Sequence, residues 1–172
     1  MDTWSYRILG CDDGFDLLYQ IIEFVVSRAP DEELESYPNY LVPDEREREL
    51  IIAAYKDLKQ FVKSKNSRLA YMILGMYLMN TGVEIDDDLK QKILEYSDWK
   101  YEKDQIKNEK HRMQRKKHLD EFRENLIKYD GTEEIPLQFD NITSVINRKF
   151  DESDGSPIKL KNIDYSIKGN LP

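Results

Sequence analysis

Residues 67–82 read SRLAYMILGMYLMNTG, and this stretch decides the fold. Apolar side chains occupy nearly every face of a helix drawn through it, which is typical of a helix at the centre of a bundle. Ser67 is the expected N-terminal cap and Gly82 the expected stop, because these residue types satisfy the free groups at the two helix ends. Gly75 costs roughly 1 kcal/mol of helix propensity. A close helix crossing at Gly75 would justify that cost.

A first helix is predicted well before this central one, at residues 12–28. Its apolar residues recur at spacings of three and four, which gives one buried face. Asp12 or Asp13 is expected to accept hydrogen bonds from the free amides of the first turn. The helix should end before Pro30, because the residue preceding a proline is disfavoured in helical geometry. Residues 30–43 hold three prolines and two tyrosines, so the sequence predicts a loop there.

Two further helices flank the central one in the sequence. Residues 44–65 begin with acids and end with lysines, the charge order that favours a helix. Their expected buried stripe consists of Leu50, Ala54, Leu58, Phe61 and Val62. Residues 84–97 predict a shorter helix that is capped by the cluster Asp86–Asp88. Its expected inward residues are Leu89, Ile93 and Leu94.

One long helix is predicted from Asp98 to a stop at residues 130–131. Trp99, Ile106 and Met113 recur every seven residues, and this spacing indicates a narrow apolar seam. The line continues through Leu119, Phe122 and Leu126. The residues between them are almost all charged or amide side chains, which favours solvent on the other faces.

The last forty or so residues follow a different pattern. The segments EIPLQF and PIKLKNIDYSIKG alternate in the manner of strands. A small hairpin, a docked arm and a disordered tail all fit residues 131–172. The sequence therefore predicts an all-α fold, a bundle of four or five helices over residues 1–130, with room for a small β-like C-terminal arm.

Composition narrows the function classes. The chain of 172 residues carries 34 acids and 26 bases, a formal net charge of −8. This balance disfavours nucleic-acid binding, because phosphate contacts need a basic surface, and it favours a basic partner or simple solubility. Cys11 is the only cysteine, so we expect no internal disulfide and no thiolate metal cluster. No secretory leader or membrane-length apolar run is visible, so we expect a cytoplasmic protein without membrane attachment.

Several residue groups could suggest chemistry, and each has a plainer interpretation. His111 and His118 lie seven residues apart, roughly 10 Å along a helix, which is too far for one metal ion. The cluster Asp86–Asp88 lacks the alternating ligands, glycine and distal glutamate of a calcium loop. Cys11 precedes a helix start, where a thiolate is stabilised, yet no histidine base lies near it in the sequence. We therefore expect no metal, no cofactor and no catalytic residue.

A basic segment at residues 100–117 leaves two readings open. It holds eight basic and three acidic residues. A basic helix face can grip phosphates or an acidic partner. It can equally be solvated, or pair with the acids at residues 31–49, since charge runs usually lie on a solvated face. The second reading is favoured.

The opening residues MDTWSYRILGCDDGFD carry a resemblance to a known family. The shared positions are Met1, Trp4, Tyr6, Leu9, Asp12, Gly14 and Asp16. The pattern resembles a bacterial domain family of unknown function whose members open with M-G-x-W-G-Y and reach a D-x-G-x-D turn. Asp2 and Ser5 stand where that family has glycine, and a weaker likeness extends to about residue 130. The resemblance implies a small, mostly helical cytoplasmic protein with no established activity.

The same opening has a structural interpretation. Trp4 and Tyr6 supply large flat surfaces that can seal one end of a helical bundle. With Leu9 and Gly14 they form the structural signature of the opening. A partner-binding site is the alternative, because Asp12 and Asp16 are four residues apart and lie on one helix face.

Six aspartates are the candidate partner-binding residues: Asp12, Asp13, Asp16, Asp86, Asp87 and Asp88. Small size, negative charge and a helical scaffold favour a non-enzymatic protein-binding module. The most concrete form is an immunity or antitoxin-like protein that blocks a toxin domain of basic character through charge complementarity. Two alternatives stay open. One is a small enzyme whose carboxylates only folding brings together, and the other is a nucleic-acid-associated regulator that uses residues 100–118.

Overall fold

The computed structural model describes residues 7–37 and 42–137, and within them the chain forms six α-helices. They are α1 (Asp12–Val26), α2 (Asp31–Leu34), α3 (Asp44–Ser64), α4 (Arg68–Thr81), α5 (Asp87–Tyr96) and α6 (Glu109–Lys128). Helix α4 lies at the centre and packs against α1, α3 and α5. Its residues Ile73, Leu74 and Leu78 are fully buried. The prediction of an all-α bundle around residues 67–82 is confirmed.

The ends and the middle of α4 follow the sequence prediction. The Ser67 side chain accepts a hydrogen bond from the Ala70 amide, and Gly82 ends the helix with φ of 69°. A methyl group at Gly75 would lie 3.1 Å from Ile93 Cδ1 and 3.4 Å from Phe122 Cζ. The close crossing expected at Gly75 is therefore present, and it involves α5 and α6 together.

Helix α1 runs against α3, and its start differs from the prediction. The rings of Phe24 and Phe61 stack with centroids 4.4 Å apart. The residue at the N-cap is Cys11, whose side chain makes no capping hydrogen bond, so neither Asp12 nor Asp13 occupies the N-cap position. Both aspartates lie in the first turn, where carboxylates still complement the helix dipole.

The connection from α1 to α3 also contains more helix than expected. Helix α1 ends at Val26, two residues before the predicted boundary, and residues 27–30 turn the chain. The predicted loop at 30–43 includes the single-turn helix α2. Pro30 stands at its N-cap, and three acids form its first turn, which is a favourable arrangement for a helix start.

The single long helix predicted from Asp98 is wrong. The Asp98 carboxylate accepts a hydrogen bond from the Lys100 amide, and residues 99–101 form a 3₁₀ turn instead. Helix α6 begins only at Glu109, where the Asn108 side chain accepts a hydrogen bond from the His111 amide. Short polar side chains thus take the backbone groups that a continuous helix would need.

The predicted heptad seam fails with that helix. Met113 is 66 % exposed, and Trp99 is only partly buried against the core. The apolar residues that α6 does bury are Leu119, Phe122 and Leu126. Helix α6 therefore buries its apolar residues only from Leu119 onward, and its N-terminal half is held mainly by polar contacts of Arg115.

The first residues after α6 pack back onto the bundle. The Tyr129 hydroxyl donates to the carbonyls of Leu78 and Val83, which ties the end of α6 to α4. The Ile135 amide donates to the Met79 carbonyl at 2.9 Å, and Leu137 is buried and forms an isolated β-bridge. The rest of the predicted strand-like segments, including PIKLKNIDYSIKG, lies outside the described residues.

Candidate interaction surfaces

The first acidic group lies at the start of α1. Asp12, Asp13 and Asp16 are all exposed there. They stand on a fixed backbone, because Leu9 is buried and a methyl group at Gly14 would lie 3.2 Å from the Ile8 carbonyl oxygen. Leu9 and Gly14 thus hold the segment before α1, residues 7–11, close to the first turn of that helix. Trp4 and Tyr6 lie outside the described residues, so their sealing role stays a prediction.

Cys11 lies beside these aspartates but is not arranged as a nucleophile. Its side chain is buried with only 5 % of the residue exposed. Burial raises the pKa of the Cys11 thiol, and a hydrogen bond from the Gly14 amide only partly opposes that rise. A buried, protonated thiol is unreactive, because the thiolate is the attacking species.

The second acidic group opens α5, and its three members have different roles. Asp86 caps the helix by accepting a hydrogen bond from the Leu89 amide at 2.8 Å, as the sequence predicts. Its other carboxylate oxygen accepts a hydrogen bond from Lys59 at 2.7 Å. Asp87 and Asp88 are exposed in the first turn. The cluster therefore divides into one structural residue and two surface carboxylates.

The surroundings of Asp86 also set its ionisation. Burial raises its pKa, but the hydrogen bonds from Lys59 and the Leu89 amide outweigh burial and leave the pKa below its usual value. The Asp86 amide donates to the Tyr55 hydroxyl, and burial raises the pKa of Tyr55 to about 12. Asp86 is therefore a charged anchor between α3 and α5 at neutral pH.

The two acidic groups belong to separate parts of the bundle. Helices α1 and α5 each pack on α4, and the principal helix pairs of the fold do not include α1 with α5. Within the described ranges, no three histidine, cysteine or acidic side chains come close enough to hold a metal ion. The six candidate aspartates therefore form two surfaces rather than one converging site.

The basic segment at 100–117 pairs locally. Arg115 binds Glu102, Lys116 lies 2.5 Å from Asp120, and Lys117 lies 3.8 Å from Glu121. The acids at 31–49 have a different basic partner, since Arg46 binds both Glu33 and Glu49. Among the described residues, these three pairs of the basic segment are therefore with acids at positions 102, 120 and 121, and not with the acids at 31–49.

The two histidines lie apart from each other on α6. His111 is exposed in the first turn of α6. His118 is mostly buried, and its Nδ1 lies 3.3 Å from a carboxylate oxygen of Glu121.

Two features of the structure have no counterpart in the sequence reasoning. The Tyr77 hydroxyl donates to a carboxylate oxygen of Glu47 at 2.7 Å, and both residues are buried. Glu47 belongs to the run DERERE, where it looks like one more solvated acid. Its spacing of three residues before Leu50, on the buried stripe of α3, is the signal that could have located it.

The second feature is an open groove lined by residues 7 and 8 before α1, by α4, and by α6 with the segment that follows it. Met76, Met79, Phe122 and Ile135 supply apolar lining, and the His118–Glu121 pair contributes a polar edge. None of the candidate aspartates lines it. Its residues come from three distant parts of the sequence, so no local pattern indicates it.

Comparisons of the chain with protein-family models, with curated proteins and with solved structures find no match. The resemblance of the opening residues to a bacterial family therefore stays a prediction. Among the described residues, no helix has both the length and the apolar character needed to cross a membrane. Function has to be argued from the surfaces of the chain itself.

Proposed function

We propose that the chain is a non-enzymatic protein-binding module, most concretely a cytoplasmic immunity or antitoxin-like protein that blocks a basic toxin domain. The observation that carries this proposal is the pair Asp87–Asp88. Both carboxylates are exposed on the first turn of α5, directly after Asp86, which Lys59 and the helix cap hold in place. Leu89 and Ile93 anchor the same helix in the core. Surface charges on a fixed backbone favour binding, because little conformational entropy is lost on association.

The first acidic group, at the start of α1, supports the same function. Asp12, Asp13 and Asp16 are exposed at the start of α1, whose Leu18 and Ile21 are buried. The net charge of −8 adds a long-range attraction for a basic partner. Such attraction raises the association rate and disfavours acidic competitors.

The test uses the protein encoded by the adjoining gene as the partner. Titration calorimetry should give a stoichiometric complex, and stopped-flow measurements should give an association rate that falls as salt rises. The variants D87N/D88N and D12N/D13N should slow association. The matched control is D44N/E45Q, which removes two first-turn acids from α3, reduces the net negative charge equally and should slow association less.

Two results would count against the proposal. One is the lack of a complex with any product of a neighbouring gene. The other is a complex whose association rate does not change with salt and is the same for D87N/D88N and D12N/D13N as for the original chain.

A further inference from the structure

The segment from Lys100 to Lys117 forms a basic surface distinct from the two acidic groups. Of its eight bases, Arg115 is neutralised by the buried Glu102, which leaves seven bases and two acids, Asp104 and Glu109. This is a local excess of positive charge on a protein whose net charge is −8. Its position after the C-terminal end of α5 separates it along that helix from Asp87 and Asp88.

The Glu102–Arg115 pair holds this surface in one shape. Glu102 belongs to the turns after α5, and Arg115 lies in the second turn of α6. The Gln105 side chain donates to the Tyr101 carbonyl, and successive backbone hydrogen bonds close the turns from residue 98 to 105. The lysines of the turns and those of α6 are therefore presented together.

Much of this positive charge is available to a partner. Lys103, Lys107, Lys110 and Arg112 form no ion pair with any residue that the structure describes. The pair between Lys117 and Glu121 is long and exposed, so it contributes little.

An apolar residue lies in the middle of these cations. Met113 is 66 % exposed. It shares one face of α6 with Lys110 and Lys117, because the three residues are spaced by three and four positions. Methionine adapts its shape to a partner and is enriched at binding surfaces. We name Lys110, Met113 and Lys117 the basic α6 face.

We propose that the basic α6 face binds an acidic segment of a partner protein, in which an apolar side chain covers Met113 and carboxylates meet Lys110 and Lys117. This inference goes beyond the proposed function, which concerns the acidic groups on α1 and α5. Charge complementarity and a central apolar residue between two cations are the features that select such a segment.

A protein segment fits this face better than a nucleic acid does. Tyr101 is the only Phe, Trp or Tyr between Lys100 and Lys117. Its ring already contacts two cations, because its centroid lies 4.7 Å from Arg68 Cζ and 5.0 Å from Lys100 Nζ. Binding of single strands relies on several aromatic rings on which bases can stack.

The test measures fluorescence anisotropy of a labelled peptide in which leucine interrupts glutamates at helical spacing. The full chain should bind this peptide at low salt, and a peptide with serine in place of leucine should bind more weakly. K110E/K117E should weaken binding about tenfold or more, since both contacts become repulsive. M113S should weaken binding of the leucine peptide and leave binding of the serine peptide unchanged.

The matched control is K56E/K63E, which reverses two exposed lysines of α3 at the same spacing of seven. It should bind the leucine peptide as the original chain does. Equal binding by K110E/K117E would overturn the proposal. So would tighter binding of a labelled oligothymidine than of the peptide, or a dimer of the chain that K110E/K117E dissociates. These outcomes are independent of the toxin-domain complex, because Asp87 and Asp88 are unchanged in every variant.

Discussion

Arg115 donates two parallel hydrogen bonds to the carboxylate of Glu102, from Nε to Oε2 at 2.6 Å and from Nη2 to Oε1 at 3.0 Å. The side chains of Glu102 and Arg115 are only 10 % and 14 % exposed. Arg115 also donates to the Arg7 carbonyl at 2.9 Å. The guanidinium of Arg115 therefore connects the backbone before α1, the turns after α5 and the start of α6.

The first prediction concerns the removal of one member of this pair. Glu102→Ala should lower the free energy of unfolding by about 3 kcal/mol, because it leaves a largely buried guanidinium without its carboxylate. Urea denaturation followed by circular dichroism measures this loss. Asp120→Ala is the control, since it breaks the exposed Lys116–Asp120 pair and should cost about 0.5 kcal/mol or less. Equal losses for the two variants would contradict the prediction.

The second prediction concerns the close crossing at Gly75. Gly75→Ala gains helix propensity, but its methyl group would crowd Ile93 Cδ1 at 3.1 Å. Overpacking in a core costs about 1–3 kcal/mol, which equals or exceeds the gain of about 1 kcal/mol. The variant should therefore be less stable than the original chain in urea denaturation.

The cause of that loss can be tested with Ile93→Val, which removes the crowded Cδ1 atom. In the Ile93→Val background, Gly75→Ala should lower the free energy of unfolding by less than it does in the original chain. The double variant should therefore be more stable than the sum of the two single losses predicts. A stabilising effect of Gly75→Ala in the original chain would show that the crossing relaxes freely.

The helices of the core could be predicted because their signals are local. The caps at Ser67 and Gly82 and the apolar spacing of α3 and α4 agree with the burial that the fold imposes. Gly75 could even be identified as a crossing, because glycine in an otherwise good helix implies a close neighbour. Residues 98–108 could not be predicted in the same way. Asp98 and Asn108 cap the turns there, but the contact that holds these turns against α6 joins Glu102 to Arg115, and a heptad pattern contains no information about it.

The candidate surfaces could be predicted only in part. Asp86, Asp87 and Asp88 look alike in sequence, and only the position of Lys59 on α3 separates the anchor from the two exposed carboxylates. Glu47 differs from its charged neighbours only by its spacing of three residues before Leu50, and its buried partner Tyr77 lies on another helix. Composition and spacing do not identify side-chain partners that come from distant helices.

The third prediction concerns the reactivity of Cys11. Burial raises the pKa of its thiol above the usual value, so the thiolate fraction at neutral pH is small. Its reaction with a disulfide reagent should be on the order of a hundredfold slower in the native chain than in urea. Absorbance of the released chromophore measures both rates, and the unfolded chain serves as the control. Comparable rates in the two conditions would mean that Cys11 is accessible.

The fourth prediction concerns the acid stability of the bundle through Asp86. The pKa of Asp86 in the folded chain lies below its usual value, because the hydrogen bonds from Lys59 and the Leu89 amide outweigh the opposite effect of burial. A lowered pKa stabilises the fold fully above the unfolded-state value of about 3.9. That stabilisation is lost as the pH falls through the folded-state pKa.

Asp86→Asn distinguishes the effect of the charge on stability from the effect of the helix cap, because asparagine caps a helix about as well as aspartate does. The variant should lose stability less steeply below about pH 4 than the original chain, in urea denaturations repeated across the acid range. Asp87→Asn is the control, since it removes a carboxylate from the same turn without touching Lys59, and it should keep the original steepness. If Asp86→Asn keeps that steepness as well, the link between Asp86 and Lys59 does not stabilise the bundle.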